Sequence, residues 1–456
     1  MAFLHNHVTT KLWKDLHETC EWGTGERWGE NPTDTGMSRL TLSDADKSAR
    51  DWFVSTTKSL GCKIKIDAMG IFPPLTYSPD TPSLTATFPG NTFAIRPGKK
   101  DAPPTYAGSH LDTQPTGGRY DGILGVHAGI EALKTMNDMD IETEYPTGVI
   151  NVSYLLEKLD RLPVTHSEPD IINSPTEEGA RFPISMVSSG VWAGAIPLST
   201  AYDLVEVGGG KATQKSELER IGYLGQISAS YKDNPIGAHF ELHIEQGPIL
   251  ESSGGKIGAV KGVNAFRWFI ITVKGRDCHT VCKFGDQTDS RITGTTDFKN
   301  RSDAMLTAAK LILHSHNKAT EMGCLASTGF VQFSLDIRCL EDSRLREIEQ
   351  ALKEDFNRIA AGEDFETLGC KGTTGKGCTV DWKLDTDSAA THFDEDCIRC
   401  VEQSAGDMLG TNAHANACQR MISGAGHDSP EDCGNGAQVL LGAMLRYDRL
   451  RAEKGA

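Results

Sequence analysis

The sequence predicts an α/β protein of more than one domain, and three observations carry that reading. The chain has 456 residues, more than one ordinary hydrophobic core organises. A short buried strand, Tyr106–Ser109, runs into the polar stretch His110–Gly122, after which Val126, Ile130 and Leu133 recur at helical spacing. Near residue 258 the pattern changes to the order β-α-β then α-β, which suits a small α+β sandwich set apart as a lid or dimerisation domain.

Composition narrows the class of partner. The net charge of −16 argues against a nucleic-acid or anionic-membrane surface, since either partner needs clustered Lys and Arg. The start, Met-Ala-Phe-Leu-His-Asn-His, has no basic n-region, and no apolar run approaches the roughly 18 residues of a membrane span. A cytoplasmic location is the expectation. The twelve cysteines are then expected as free thiols, and Cys397-x-x-Cys400, lacking a second pair, is a weak zinc signal.

Taken in order, Ser43 with Asp46 reads as a helix start ahead of Ala49, Trp52 and Phe53. Pro and Thr crowd residues 73–89, a loop composition. His110-Leu-Asp112, with Asp121 after Gly117-Gly118, offers the N and O donors that zinc accepts. Alone, the stretch fits an ordinary polar loop better than a site. Gly148–Val152 reads as a strand. Glu177 and Glu178 precede Gly179; on an extended segment they point to opposite faces, or they form an exposed acidic turn. His239 to Glu245 alternates apolar and polar residues, which predicts a strand with His239, Glu241, His243 and Glu245 on one face.

In the next segment Phe266–Val273 reads as a strand. Ser302 is placed as the cap of a helix whose apolar face is Met305, Leu306, Ala309, Ile312 and Leu313. Val331, Phe333, Leu335 and Ile337 alternate as a strand that puts Arg338 on its polar side. Ser343 is placed as the cap of a helix with Leu345, Ile348, Leu352, Phe356 and Ile359 inside, and Val380, Trp382 and Leu384 suggest a further strand. Helix returns at Asp394–Met408. Small residues flank His427 in Ser423-Gly-Ala-Gly-His-Asp-Ser429, and Ser429-Pro430-Glu431-Asp432 is a strong helix start for a last helix carrying Val439, Leu440, Ala443, Met444 and Tyr447.

Together, His110-x-Asp112, Asp121, Glu177-Glu178, His243 in Leu-His-Ile-Glu-Gln-Gly and His427 in Gly-Ala-Gly-His-Asp-Ser make a specific set. The chain resembles the dinuclear zinc amidohydrolases of the aminoacylase/carboxypeptidase superfamily, in the carbamoylase branch. The likeness is to yeast-type β-ureidopropionases (β-alanine synthases) and N-carbamoyl-L-amino-acid hydrolases. It covers nearly the whole chain, including Gly-Met-Ser-Arg-Leu at 36–40. The resemblance implies a two-domain dizinc exopeptidase-like fold. A mixed-sheet catalytic domain (residues 1–257 and 386–456) would carry an α+β sandwich lid and dimerisation domain (258–385).

It also implies the site. His110, Asp121 and His243 would hold one Zn2+, with Asp121 bridging, and Glu178 and His427 would complete the second; manganese is the alternative metal. Asp112 would orient a ligand histidine. Glu177 would be general base and then acid. His279 would stabilise the oxyanion, Arg338 would clamp the substrate carboxylate, and Gln246 would line the pocket. The implied enzyme is a homodimer that hydrolyses the linear ureido amide of an N-carbamoyl amino acid, such as N-carbamoyl-β-alanine, to amino acid, CO2 and ammonia. Allantoate-type amidohydrolases and aminoacylases share these features. A non-catalytic dimeric binding protein of the same fold is the reading from another class.

Three departures from the family pattern touch the site. Residues 153–175 intervene before the Glu pair. Residues 281–293 interrupt Cys-His-Thr-Gly-Thr-Thr. A family segment is missing after Ser429. They predict weakened metal binding or none, and poor activity, because a ligand displaced by 1 Å costs on the order of a hundredfold in rate.

Overall fold

The computed structural model describes residues 2–67, 91–151, 179–225, 227–276, 302–328, 333–361, 363, 377–410, 413–414 and 430–455. The chain divides into two compact units, Met1–Lys261 with Phe393–Ala456, and Gly262–His392. The sequence places these boundaries at 257/258 and 385/386.

The first unit begins with helix α1 (Ala2–Thr19), strands β1 (Thr24–Arg27) and β2 (Thr35–Met37), and helix α2 (Asp44–Ser59). Ser43 caps α2 as its sequence predicts, accepting the Asp46 N–H. Next come β3 (Lys63–Ile66), β4 (Thr92–Arg96), β5 (Thr105–Ser109), α3 (Ile123–Asp138) and β6 (Thr147–Asn151). The short helices α4 (Val187–Trp192), α5 (Leu198–Asp203) and α6 (Gln214–Arg220) lead to β7 (Ala238–Phe240), α7 (Ile249–Ser253) and β8 (Ile257–Gly258).

A five-stranded sheet in the order β3-β4-β6-β5-β7 organises this unit. β5 runs parallel to both β6 and β7, and β4 runs antiparallel to β6, so the sheet is mixed. Both faces are covered, which is why Thr105–Ser109 is buried throughout rather than alternating. Phe93, Tyr106 and Ile150 meet Trp192 on one side. Ala94, Val149 and Leu111 meet Val126, Ile130 and Leu133 of α3 and Phe53 of α2 on the other. At Gly125 a Cβ would lie 2.5 Å from the Leu242 carbonyl oxygen, so α3 presses directly on the segment after β7.

The predicted strand His239–Glu245 shrinks to Ala238–Phe240. Its pairing with β5 stops at Ala107 with Phe240 although β5 runs on to Ser109; past that point the Leu242 carbonyl faces Gly125 of α3 instead.

The second unit holds β9 (Gly262–Val263), β10 (Ala265–Lys274), α8 (Ala304–Glu321), β11 (Leu325–Thr328), β12 (Phe333–Cys339), α9 (Asp342–Ala361), β13 (Thr379–Ser388) and β14 (Thr391–His392). Its four-stranded antiparallel sheet has the order β11-β12-β10-β13. Phe269, Ile271, Leu335 and Ile337 pack against Leu345, Ile348, Leu352, Phe356 and Ile359 of α9, the face its sequence predicts. Ser343 lies inside α9 rather than capping it, because the helix already begins at Asp342.

Helix α8 corrects the sequence reading twice. Its cap is Asp303, which accepts the Leu306 N–H, not Ser302. Its apolar stripe also faces away from the core. Met305, Leu306, Ile312 and Leu313 are 76, 42, 36 and 44% exposed. The buried side is Thr307, Lys310, Leu311, His314, Ser315 and Ala319, with His314 Nε2 2.9 Å from Asp355 Oδ2 of α9. Val331 lies outside the described residues.

The chain then returns to the first unit as α10 (Glu395–Leu409), β15 (Ala413–His414) and α11 (Pro430–Lys454). Val439, Leu440, Ala443 and Met444 are buried on α11 as predicted. Ala437, Leu440 and Met444 join Leu12 and Leu16 of α1 and Leu124 and Ala128 of α3 in one core. Each such leucine contributes about 2 kcal/mol by burial. Among the described residues, no helix is long and apolar enough to cross a membrane.

Candidate functional site

The strand order fixes where chemistry can gather. From β5 the chain crosses through α3 to β6 on one side, and β7 later pairs on the other side of β5. The carboxyl ends of β5 and β7 thus flank a topological switch point, the place where open α/β sheets bind ligands. His110 is the first residue past β5, and His243 lies three residues past β7. Asp121 sits just ahead of α3.

These three converge. One ligand atom from each of His110, Asp121 and His243 lies within 4.8 Å of the others. His243 Nε2 is 3.0 Å from Asp121 Oδ1, and Gln246 donates through Nε2 to Asp121 Oδ2 at 2.7 Å. Gln246 itself has φ +54°, a left-handed conformation uncommon for a non-glycine. Both histidines are fixed from behind. His110 Nδ1 is 2.8 Å from the Asp112 carbonyl oxygen, and His243 Nδ1 is 3.0 Å from the Ile244 carbonyl oxygen. A carbonyl only accepts, so each Nδ1 carries the hydrogen and each Nε2 is the nitrogen turned toward the cluster. Gly122 makes room: a Cβ there would stand 2.4 Å from His110 Nε2, and its φ of +69° is a turn conformation that side chains resist.

Electrostatics follow from burial and charge. Burial pushes the His243 imidazole down, but its bond to Asp121 and the charge of Glu241 outweigh that and raise its pKa to about 9. Burial works against the Asp121 carboxylate too, yet His243 and His110 with the Gln246 bond hold it below the usual carboxylate range. His243 Nε2 therefore carries a proton in that bond, which a ligand-forming imidazole must give up.

Other expected residues fall into three groups. Asp112 backs His110 as expected, but through its main-chain oxygen; its carboxylate Oδ1 is 3.8 Å from His110 Nδ1. Of the four ionisable residues expected to share a face, only His243 joins the cluster. Glu241 accepts the Ser109 hydroxyl at 2.5 Å, Glu245 caps the Ile249 and Leu250 N–H groups of α7, and burial keeps the His239 pKa low. Arg338 belongs to the second unit, where its guanidinium binds Asp336 at 2.9 Å and stacks over Phe266. Glu177, Glu178, His279 and His427 lie outside the described residues.

Sequence reasoning undervalued Arg39, seen there only as one letter of a motif. Its side chain is fully buried behind the His110 turn. A buried arginine carries no periodic signature, so only its neighbours reveal it.

At the strand ends, two imidazoles and a carboxylate form a cluster that could hold a metal ion, as a metal-dependent hydrolase requires. The chain is 31% identical over 440 residues to an N-carbamoyl-L-amino-acid amidohydrolase of Rhizobium meliloti, covering 92% of this chain and 84% of that protein. It is 24% identical over 343 residues to an allantoate amidohydrolase of Bacillus subtilis (strain 168), covering 71% and 68%. A hydantoinase/carbamoylase family amidase from Burkholderia ambifaria shares the fold with a TM-score of 0.70 and 28% identity over 96% of each chain. No family model matches the chain. The chain belongs to the N-carbamoyl-L-amino-acid amidohydrolases, the hydantoinase/carbamoylase family of hydrolases that act on carbon–nitrogen amide bonds.

Proposed function

We propose that this protein hydrolyses the ureido amide of an N-carbamoyl amino acid, using divalent metal held at His110, Asp121 and His243. The observation that carries the reading is the cluster itself: two Nε2 atoms and a carboxylate gathered at one switch point, with both Nδ1 atoms tied to carbonyls. That donor set suits Zn2+, with Mn2+ as the alternative. A metal bound there supplies Lewis acidity and acidifies water near neutral pH.

The chain's own residues divide the remaining work. Asp121, held by Gln246, presents one oxygen toward His243 and is the carboxylate suited to bridge to a second metal, for which Glu178 and His427 are the proposed ligands. Glu177 takes a proton from the attacking water and returns it to the leaving nitrogen. Water adds to the ureido carbonyl, His279 stabilises the oxyanion, and the C–N bond to the amino acid breaks. The carbamic acid released falls to CO2 and ammonia, so one water is consumed in all. Arg338 binds the substrate carboxylate, for which it must exchange its bond to Asp336. The protein works as a homodimer, a reading supported by the exposed apolar stripe of α8.

Ammonia release from N-carbamoyl-β-alanine, N-carbamoyl-L-amino acids and allantoate tests the reading. Turnover of an N-carbamoyl substrate that Glu177→Ala abolishes is expected. Turnover of allantoate alone favours the second reading, which the likeness to an allantoate amidohydrolase supports. Binding without turnover, unchanged by Glu177→Ala, means a non-catalytic binding protein.

A further inference from the structure

We infer that Arg39 is a positioning residue that sets the geometry of the metal-ligand turn from behind. The inference rests on the metal reading above and adds a residue to it. Arg39 is the largest fully buried side chain among the described residues. Burying a guanidinium is costly unless its hydrogen bonds and charge are met. Here the side-chain bonds all end on main-chain carbonyls, two in the turn that ends α1 and one in the His110 turn. Nε donates to Trp22 O at 2.8 Å, Nη2 donates to Thr19 O at the end of α1, and Nη1 donates to Leu111 O at 3.1 Å.

The main chain of the same residue grips the turn a second time. Its N–H donates to Thr113 Oγ1 at 2.9 Å, and its carbonyl accepts the Thr113 N–H at 2.8 Å. Arg39 therefore holds Leu111 and Thr113, the residues on either side of Asp112. The Asp112 carbonyl is the group that binds His110 Nδ1 and so keeps the hydrogen on that nitrogen. Burial holds the Arg39 pKa below its usual value, and the carboxylates of Asp46 and Asp112 offset part of that cost.

The planar fork matters more than the charge. A lysine keeps the charge, but its compact ammonium cannot span from the Thr19–Trp22 turn to Leu111 as the planar fork does. Loosening Leu111 lets the Asp112 carbonyl drift from His110, and the imidazole then samples both tautomers. Arg451 is the control. It is also buried, donates to Pro103 O at 2.9 Å and stacks on Tyr145, but it grips no part of the 110–113 turn.

The test uses the full chain labelled with 15N-histidine. The ring nitrogen shifts of His110 report its tautomer in metal-free protein, and titration calorimetry with Zn2+ reports affinity. Arg39→Lys is expected to mix the His110 tautomers and weaken Zn2+ binding about tenfold or more. Thr113→Val, a milder change on the same turn, is expected to move both readouts in the same direction by less. Arg451→Met is expected to move neither, even where it lowers the melting temperature as far. An unchanged His110 tautomer in both Arg39→Lys and Thr113→Val overturns the inference, as does an equal change in Arg451→Met. If wild-type protein binds no Zn2+ while Arg39→Lys alone mixes the tautomers, the metal reading falls and the positioning role stands.

Discussion

The two units use the same apolar pattern to different ends. In the first, apolar faces of α1, α3 and α11 turn inward, and ionisable residues left over at the strand ends converge on one cluster. In the second, α9 buries its stripe while α8 turns its own outward and buries threonine, lysine, histidine and serine instead. Periodicity reports that a helix has an apolar face; it does not report what covers that face. On α9 it is the sheet. On α8 the stripe is exposed among the described residues.

The largest effect separating the units comes from the cluster. Asp121→Ala removes the carboxylate that binds both His243 and Gln246. Turnover is expected to fall about a thousandfold, or about 4 kcal/mol, while the unfolding midpoint moves little. Steady-state ammonia release with parallel denaturation checks this.

Next in size is the contrast between the two helices. Leu352→Ala on α9 empties a fully buried site and is expected to cost about 3 kcal/mol. Leu313→Ala on α8, at an exposed position, is expected to cost well under 1 kcal/mol in the monomer. Equal losses on urea denaturation would remove the distinction between the helices. Leu313→Glu then asks what α8 meets: sedimentation is expected to change from dimer to monomer, whereas an unaltered mass would leave the stripe without that partner.

The smallest effect is one of pH, and it lies in the first unit. His127 is buried between Thr19, whose hydroxyl is 2.9 Å from Nε2, and the Trp52 ring stacked on it. Burial holds its pKa well below 6.5. The unfolded chain binds a proton there below about pH 6.5 and the folded chain does not, so stability is full above that pH and falls as pH drops through it. Denaturation at pH 7.5 and 5.5 should show the loss, and His127→Gln should show less of it.

Much of the fold was legible because it follows from pattern. The buried run of β5, the face of α9 and the cap of α2 can all be read from spacing and residue type. What could not be read depends on neighbours in space. Strand β7 leaves the ladder after Phe240 while β5 runs on to Ser109, which no local pattern encodes. Helix α1 went unread although Leu12 and Leu16 lie one turn apart in the core. At the site, His110, Asp121 and His243 were each weak alone and became specific only as a set. The role of the Asp112 carbonyl and of Arg39 lies in main-chain geometry, which residue identity does not carry.

The most direct measurement is ammonia release from N-carbamoyl amino acids by the full chain, before and after removal of divalent metal with a chelator and again after Zn2+ is returned. Release that disappears with chelation and returns with Zn2+, even at the slow rate the departures imply, is the expected result. Release that persists undiminished after the metal is removed would contradict a metal centre at His110, Asp121 and His243.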